Sequence, residues 1–344
     1  MTLAALVEPA TAWLAAHVPG ARRPFAFDPV PGGSSNPTFY VTDAAGRRWV
    51  LRRPPAGGML PSAHDMAREY RVLSSLHGAG FPVAEPIAFC EETEVLGASF
   101  YVMRRVDGLV LRNLADVESL LEPRARRTAA TDLVAVLARL HALDPDAIGL
   151  GGFGRRQGYL ARQLRRWRSQ AEASAAAFGV PQPNLAAMHK RLAESLPEGG
   201  PTGIVHGDFR LGNVLVAPDG RLRAVLDWEL CTLGATLADA AHLLLSWIEY
   251  PQPLPTGLPS PREMAVAYLE RAGASGADLD YYVAFAAWRL GCILAGVHAR
   301  YVAGVGASDR VDLGAHLKRI DSLIGIAERA LEGGALELGV ASAP

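Results

Sequence analysis

His206, Gly207 and Asp208 follow an apolar run, Asn213 comes five residues after Asp208, and Asp227-Trp228-Glu229 ends the next apolar run. Between them lies Ala217-Pro218-Asp219-Gly220. An Asp-Gly pair flanked by alternating apolar positions is a strong two-residue hairpin signal, and a turn centred there pairs residues whose numbers sum to about 439. Asn213 then lies across from Leu226, one position from Asp227, with Asp208 on the irregular loop just before the hairpin. Two oxygen-bearing side chains at the open end of a hairpin, beside a third, suit a hard divalent cation such as Mg2+. Such a cation also holds the phosphates of a nucleotide, and a separate carboxylate nearby can orient a hydroxyl and accept its proton during phosphoryl transfer.

Taken singly, these residues have plainer readings. Asp208 or Asn213 alone is an ordinary turn residue, because Asx side chains favour hairpin ends. It is the spacing of all three that points to chemistry. His206 reads as a structural histidine hydrogen-bonding within its loop rather than a zinc ligand. Asp239 reads as a structural acceptor for the amides of that loop, and Glu229 either as an indirect aid to the metal or as an orienting or solvent-facing group.

The elements that must position this cluster divide the chain in two. Residues 25–30, 38–42, 48–53, 82–90 and 99–104 carry strand patterns, and Pro54-Pro55 ends the third of these because proline cannot donate to a ladder. Ser62 is the expected N-cap of a helix reaching about His77, with Asp65 three residues on. Beyond residue 108 the pattern turns helical, at 124–142, 157–175, 183–196, 237–248, 261–272 and 279–302, around a β-rich island from Ile204 to Trp228.

Composition narrows the class. The 344 residues are 50% hydrophobic and carry 34 basic against 35 acidic residues, a net charge of −1, so a sizeable core is expected and nothing global points to nucleic acid or an anionic membrane. The three cysteines, Cys90, Cys231 and Cys292, are far apart, which argues against a disulfide scaffold and fits a reducing, cytoplasmic compartment. Residues 1–19 are apolar but contain Glu8 and no basic n-region, so they read as an amphipathic helix. The most apolar stretch, 281–298, contains Arg289 near its middle and reads as a buried core helix rather than a membrane span. Only Lys190 and Lys318 are lysines; every other basic residue is arginine.

The run His206-Gly207-Asp208, then Asn213, then Asp227-Trp228-Glu229, resembles the aminoglycoside phosphotransferase family of protein-kinase-like small-molecule kinases. Gly32-Gly33-Ser34-Ser35-Asn36-Pro37-Thr38, Val50-Leu51-Arg52-Arg53-Pro54-Pro55, Leu60-Pro61-Ser62-Ala63-His64 and Arg68-Glu69-Tyr70-Arg71-Val72-Leu73 are similar to the branch found as the kinase domain of acyl-CoA-dehydrogenase-fused proteins. The resemblance spans roughly residues 25–300. It implies an α+β, two-lobed, protein-kinase-like fold with a small β-rich N-lobe (1–103), a hinge (104–108) and a larger helical C-lobe (109–344).

The resemblance also implies roles. Asp208 would orient or deprotonate the acceptor hydroxyl, and Arg210 would stabilise charge on the transferring group. Asn213 and Asp227 would hold Mg2+. Gly32, Gly33, Ser34 and Ser35 would cover the phosphates of ATP. Arg52 would grip them, braced by Glu69, and Met103, Arg104 and Val106 would meet the adenine edge. The family pattern has lysine where this chain has Arg52, which keeps the charge but changes the geometry. The acceptor is expected to be a small molecule with a hydroxyl group. Six arginines (155, 156, 162, 165, 166 and 168) and no acid between Arg155 and Arg168 argue for an anionic, hydroxyacyl-CoA-like acceptor, unless that face is simply solvated. A non-catalytic nucleotide-binding pseudokinase and a macrolide or aminoglycoside phosphotransferase are the alternative readings. No nucleic-acid or membrane partner is expected, and oligomeric state is left open.

Overall fold

A computed structural model describes residues 3–30, 36–55, 65–180, 182–304 and 312–334. The chain starts with α1 (Leu3–His17), then β1 (Phe25–Pro29), β2 (Thr38–Asp43), β3 (Arg48–Arg52), α2 (Met66–Gly78), β4 (Pro86–Cys90), the single turn α3 (Thr93–Leu96) and β5 (Phe100–Arg104). Helices α4 (Leu114–Leu120), α5 (Pro123–Ala142), α6 (Tyr159–Phe178) and α7 (Pro183–Glu194) follow. Four short strands come next, β6 (Thr202–Val205), β7 (Val214–Val216), β8 (Leu222–Val225) and β9 (Thr232–Ala235). The chain continues with α8 (Leu237–Ile248), α9 (Pro261–Ala272), α10 (Leu279–Val302) and α11 (Leu313–Arg329). This is an α+β protein: a small antiparallel sheet with its helices, followed by a larger helical part.

The small sheet has the order β1-β2-β3-β5-β4. Side chains alternate across it, as a pleated strand requires. Trp49 and Leu51 of β3, with Phe100 and Val102 of β5, pack against Trp13 and Leu14 of α1. Tyr101, between the latter two, points the other way, into the core that contains Met66, Val72, Leu73 and Leu76 of α2. Arg52 pairs with Tyr101 across the β3–β5 ladder. Strand alternation therefore places the Arg52 guanidinium on the face covered by α2.

Helix α2 starts later than expected. Ser62 lies outside the described residues, and Asp65 is the N-cap, its side chain accepting from the Arg68 N–H at 2.9 Å. The acidic residue expected to assist the cap does the capping. The helix is tied to the larger part by Arg68, which donates to the carbonyls of Phe153 (2.8 Å) and Cys231 (3.0 Å) and lies 3.5 Å over the Phe153 ring.

In the larger part, β6 and β9 pair antiparallel, with Val205 opposite Thr232. Sequence reading ended the β-rich island at Trp228 and so missed β9. Inside this bracket β7 and β8 form the expected hairpin, Val214 facing Val225 and Leu215 facing Ala224. The pairing shifts near the turn, where Val216 meets Leu222. Gly220 closes the turn at φ 89°, and a Cβ there would lie 2.1 Å from the Ala125 carbonyl oxygen, so only glycine lets the hairpin rest on α5.

The expected helices are present, α8, α9 and α10 with the expected bounds and α5, α6 and α7 with ends moved by one to three residues. α4 and α11 were not anticipated, α4 being only seven residues long. Ser260, Pro261 and Glu263 start α9 with a capping box. α10 is long and apolar enough to suit a membrane span, but 78% of its most apolar window is buried inside the protein, where it packs against α6, α8 and α11. Its apolar surface on all sides is that of a core helix.

Candidate active site

The loop from His206 to Asn213 leaves β6 and enters β7; the segment from Leu226 to Cys231 leaves β8 and enters β9. Strand pairing thus brings two segments of opposite direction together. The Leu226 N–H donates to the Asn213 carbonyl at 2.8 Å, which fixes Asp227 beside Asn213, as hairpin arithmetic anticipated.

The floor of the loop is Asp239 on α8, which is 1% exposed. Its two oxygens accept the backbone N–H groups of His206 (2.6 Å) and Gly207 (2.9 Å), and His141 Nε2 lies 3.5 Å away. Burial alone would raise this carboxyl, but the His141 contact, the nearby His206 and the Gly207 N–H outweigh it and hold its pKa below the ordinary value. His206 is structural: Nδ1 accepts the Asp208 N–H at 3.2 Å, so Nε2 carries the proton and donates to Leu226 O at 2.8 Å. Gly207, at φ 89°, has no space for a Cβ, which would meet Leu230 at 2.9 Å. Its carbonyl accepts from Nη2 of the buried Arg289 at 2.5 Å.

This scaffold leaves the Asp208 side chain 30% exposed. Oδ1 lies 2.8 Å from His242 Nε2; Oδ2 accepts from Asn213 Nδ2 at 2.6 Å and Arg210 Nε at 3.3 Å. Partial burial would raise its pKa, but the His242 hydrogen bond and the nearby Arg210 cation hold it well below the carboxylate range. The Asn213 amide nitrogen also donates to the Asp208 carbonyl at 2.9 Å. With the nitrogen committed, the Asn213 oxygen is the atom this side chain can offer to a cation. Asp227 adopts φ 63°, a left-handed conformation uncommon outside glycine and tolerated by aspartate.

Across from this loop, Arg52 meets three carboxylates: Glu69 Oε2 at 3.0 Å, Asp227 Oδ1 at 2.8 Å and Glu229 Oε2 at 3.7 Å. Burial works against its charge, yet Glu69, Asp227 and Glu229 prevail and keep the guanidinium pKa above its ordinary value. Tyr101 donates its hydroxyl to Glu69 at 2.9 Å. Asn36, 2% exposed, donates to Glu69 Oε1 (3.2 Å) and Glu229 Oε2 (3.3 Å), joining the small sheet's surroundings to the β8–β9 segment.

The other residues singled out from sequence are placed as follows. Met103 and Arg104 end β5; Arg104 is exposed, its N–H on the Glu85 carbonyl (2.8 Å) and its guanidinium on the Glu85 carboxylate (2.5 Å). Val106, half-buried, enters no backbone hydrogen bond among the described residues. Gly32, Gly33, Ser34 and Ser35 lie outside the described residues. Arg210 and Asn213 converge on Asp208, while Arg52, Glu69 and Asp227 converge on one another.

Sequence reading missed His242, Asn36 and Arg289 as parts of this site. A signal for the first was present. His242 lies three positions after Asp239, hence on the same helix face, and Asp239 was already read as facing the loop. The arginine-rich stretch splits: Arg162 caps the carbonyls of Arg155 and Gln157, while Arg156 and Arg168 pair with Asp146 and Glu172. Arg165 and Arg166 remain exposed on α6 with no ion pair among the described residues.

The fold is that of the protein-kinase-like phosphotransferases. The structure of a choline kinase from Cryptosporidium parvum matches with a TM-score of 0.69 at 13% identity, covering 96% of this chain and 98% of that one. A structure from Ralstonia eutropha JMP134, described as an aminoglycoside phosphotransferase, matches at TM-score 0.81 and 31% identity over 95% and 98% of the two chains. The chain belongs to the phosphotransferase enzyme family (APH), whose model matches residues 26–281. It is 38% identical over 298 residues to acyl-CoA dehydrogenase family member 11 of Gallus gallus and 35% identical over 291 residues to the Homo sapiens protein of that name. These alignments take in 80% of this chain but only 37% and 36% of those longer proteins.

Proposed function

We propose that this chain is a small-molecule kinase that transfers the γ-phosphoryl group of Mg-ATP to a hydroxyl of an anionic, hydroxyacyl-CoA-like acceptor. The observation that carries the reading is Asp208: a partly exposed carboxylate on a rigid loop, adjoining Asn213 and, across the hairpin end, Asp227. A carboxylate held so far below its ordinary pKa is a weak base, suited to orienting a hydroxyl and accepting its proton late in a transfer dominated by bond breaking. The free oxygen of Asn213 and the carboxylate of Asp227 are hard donors that fit Mg2+. Bound there, the ion would offset charge on the β- and γ-phosphate oxygens.

In this reading Arg52 grips phosphate oxygens through its planar fork, and Glu69, fixed by Tyr101, holds the fork in place. Arg210 lies beside Asp208, where a cation would stabilise the transferring group. Val106, with its backbone groups uncommitted among the described residues, belongs with Met103 and Arg104 to an adenine-facing connector at the hinge, 104–108. Two observations favour an anionic acceptor: the exposed Arg165 and Arg166 on α6, which form no ion pair among the described residues, and the names of the longer relatives, which are acyl-CoA dehydrogenase family members.

The test is incubation of the full chain with Mg-ATP and a panel of hydroxyacyl-CoAs, with phosphorylated product followed by mass spectrometry. Product formation that disappears in Asp208→Ala is expected. ATP binding without transfer to any hydroxyl compound would favour the non-catalytic reading, for which the engagement of Arg52 by three carboxylates is the supporting observation.

A further inference from the structure

His242 is one turn along α8 from Asp239, so the helix face that receives the loop amides also meets the Asp208 carboxylate. The ring is 8% exposed. Its Nε2 lies 2.8 Å from Asp208 Oδ1, while Nδ1 is buried and has no polar partner among the described residues. Leaving a buried ring nitrogen unpaired is unfavourable, and in this His242 differs from the neighbouring His141 and His206, whose two ring nitrogens both have polar partners. The one hydrogen bond His242 makes among the described residues is to Asp208.

We propose that His242 is a positioning residue for phosphoryl transfer, fixing through its Nε2–H the orientation in which Asp208 meets the acceptor hydroxyl. The proposal rests on the reading of Asp208 given above. Asn213 and Arg210 both approach Oδ2 and leave the plane of the carboxylate free to turn. His242 holds Oδ1, and grips on both oxygens fix that plane. A carboxylate has only acceptors to offer, so Nε2 carries the proton and Nδ1 is bare when the ring is neutral. In a reaction carried mainly by alignment, a misplaced carboxylate is costly.

The tautomer supplies a discriminating pair of variants. A glutamine amide nitrogen reaches the position of Nε2, whereas that of asparagine reaches only the position of Nδ1. The experiment measures ADP release from Mg-ATP with water as acceptor, and Mg-ATP binding by calorimetry, in the wild-type chain, His242→Gln, His242→Asn and His242→Leu. Asparagine and leucine are expected to lower kcat by on the order of 10–100-fold, with KM and Kd for Mg-ATP changed by less than about threefold, and glutamine to restore most of the rate. Equal rates for glutamine and asparagine, whether both low or both near wild type, would overturn the assignment, as would a loss expressed in KM alone. Should the leucine variant fail to fold, the two amides of similar size still decide. A wild type that neither binds nor turns over Mg-ATP overturns the kinase reading and this inference with it, whereas wild-type turnover with equivalent amides overturns the role of His242 alone.

Discussion

The two charged clusters of this protein are built on opposite plans. Asp208 is held within one compact stretch of chain: His206, Arg210, Asn213 and His242 all lie within 34 residues of it, and Asp239 fixes the loop from below. Arg52 is held by residues from both parts of the molecule. Glu69 comes from α2, Asp227 and Glu229 from the segment after β8, and the Asn36 bridge to Glu229 spans 193 positions. The first cluster is complete once the helical part has folded, whereas the second is complete only while the small sheet and the helical part are docked, because Asp227 and Glu229 join Arg52 and Glu69 across that contact. The lesson is that the proposed hydroxyl-activating group is built in advance, and the proposed phosphate grip depends on how the two parts meet.

The strongest way to sharpen this contrast is to break the local cluster alone. Asp208→Ala should lower turnover by on the order of 10²–10⁴ while leaving Mg-ATP affinity nearly unchanged, measured by steady-state kinetics beside calorimetry. Equal activity in that variant would remove Asp208 from the chemistry. Breaking the distributed cluster should look different. Arg52→Ala leaves Glu69, Asp227 and Glu229 crowded without their cation, so stability should fall by about 3–5 kcal/mol, as expected when one partner of a buried pair is lost. Nucleotide affinity should fall with it. Urea unfolding and calorimetry check both, and an Arg52→Ala protein of wild-type stability would contradict the described contacts.

Asp239→Asn tests the floor of the loop. One oxygen becomes a donor facing backbone N–H groups, and a loss of about 1–3 kcal/mol is expected at neutral pH. The sign with pH follows from the direction of its pKa. A carboxyl depressed in the folded state contributes stability above its unfolded pKa and loses it as pH falls through the folded one. The gap between wild type and Asp239→Asn should therefore narrow on acidification, and a gap that widens would reverse the assigned shift. The smallest effect is expected from Glu229→Gln, whose contact with Arg52 at 3.7 Å is the longest of the three. A change of less than about 1 kcal/mol in stability is expected there.

Much of this was legible beforehand, for identifiable reasons. The hairpin carries its own turn signal in Asp219-Gly220, so its register, and with it the meeting of Asn213 and Asp227, followed from counting. The Arg52–Glu69 pair was expected from the family resemblance alone; the structure gives its physical reason, strand alternation setting Arg52 on the face covered by α2, where Glu69 is buried. What sequence did not disclose are contacts set by tertiary packing. Asn36 bridges groups 33 and 193 positions away, and Arg289 reaches Gly207 from an apolar helix 82 positions on; neither separation leaves a local pattern. β9 was missed because Thr232–Ala235 contains a glycine and has only one strongly apolar residue, and its partner strand lies on the far side of the hairpin. The N-cap of α2 was misplaced because Ser62 and Asp65 are both competent caps, and choosing between them requires the path of the preceding chain.

The central claim is that the open end of the β7–β8 hairpin forms a Mg-nucleotide site beside Asp208. Calorimetric titration of ATP, with and without Mg2+, into wild type and Asp227→Ala tests it most directly. The account predicts Mg-dependent binding to the wild type that is lost in the variant. Binding of equal strength in both proteins, or no binding to the wild type, would contradict it.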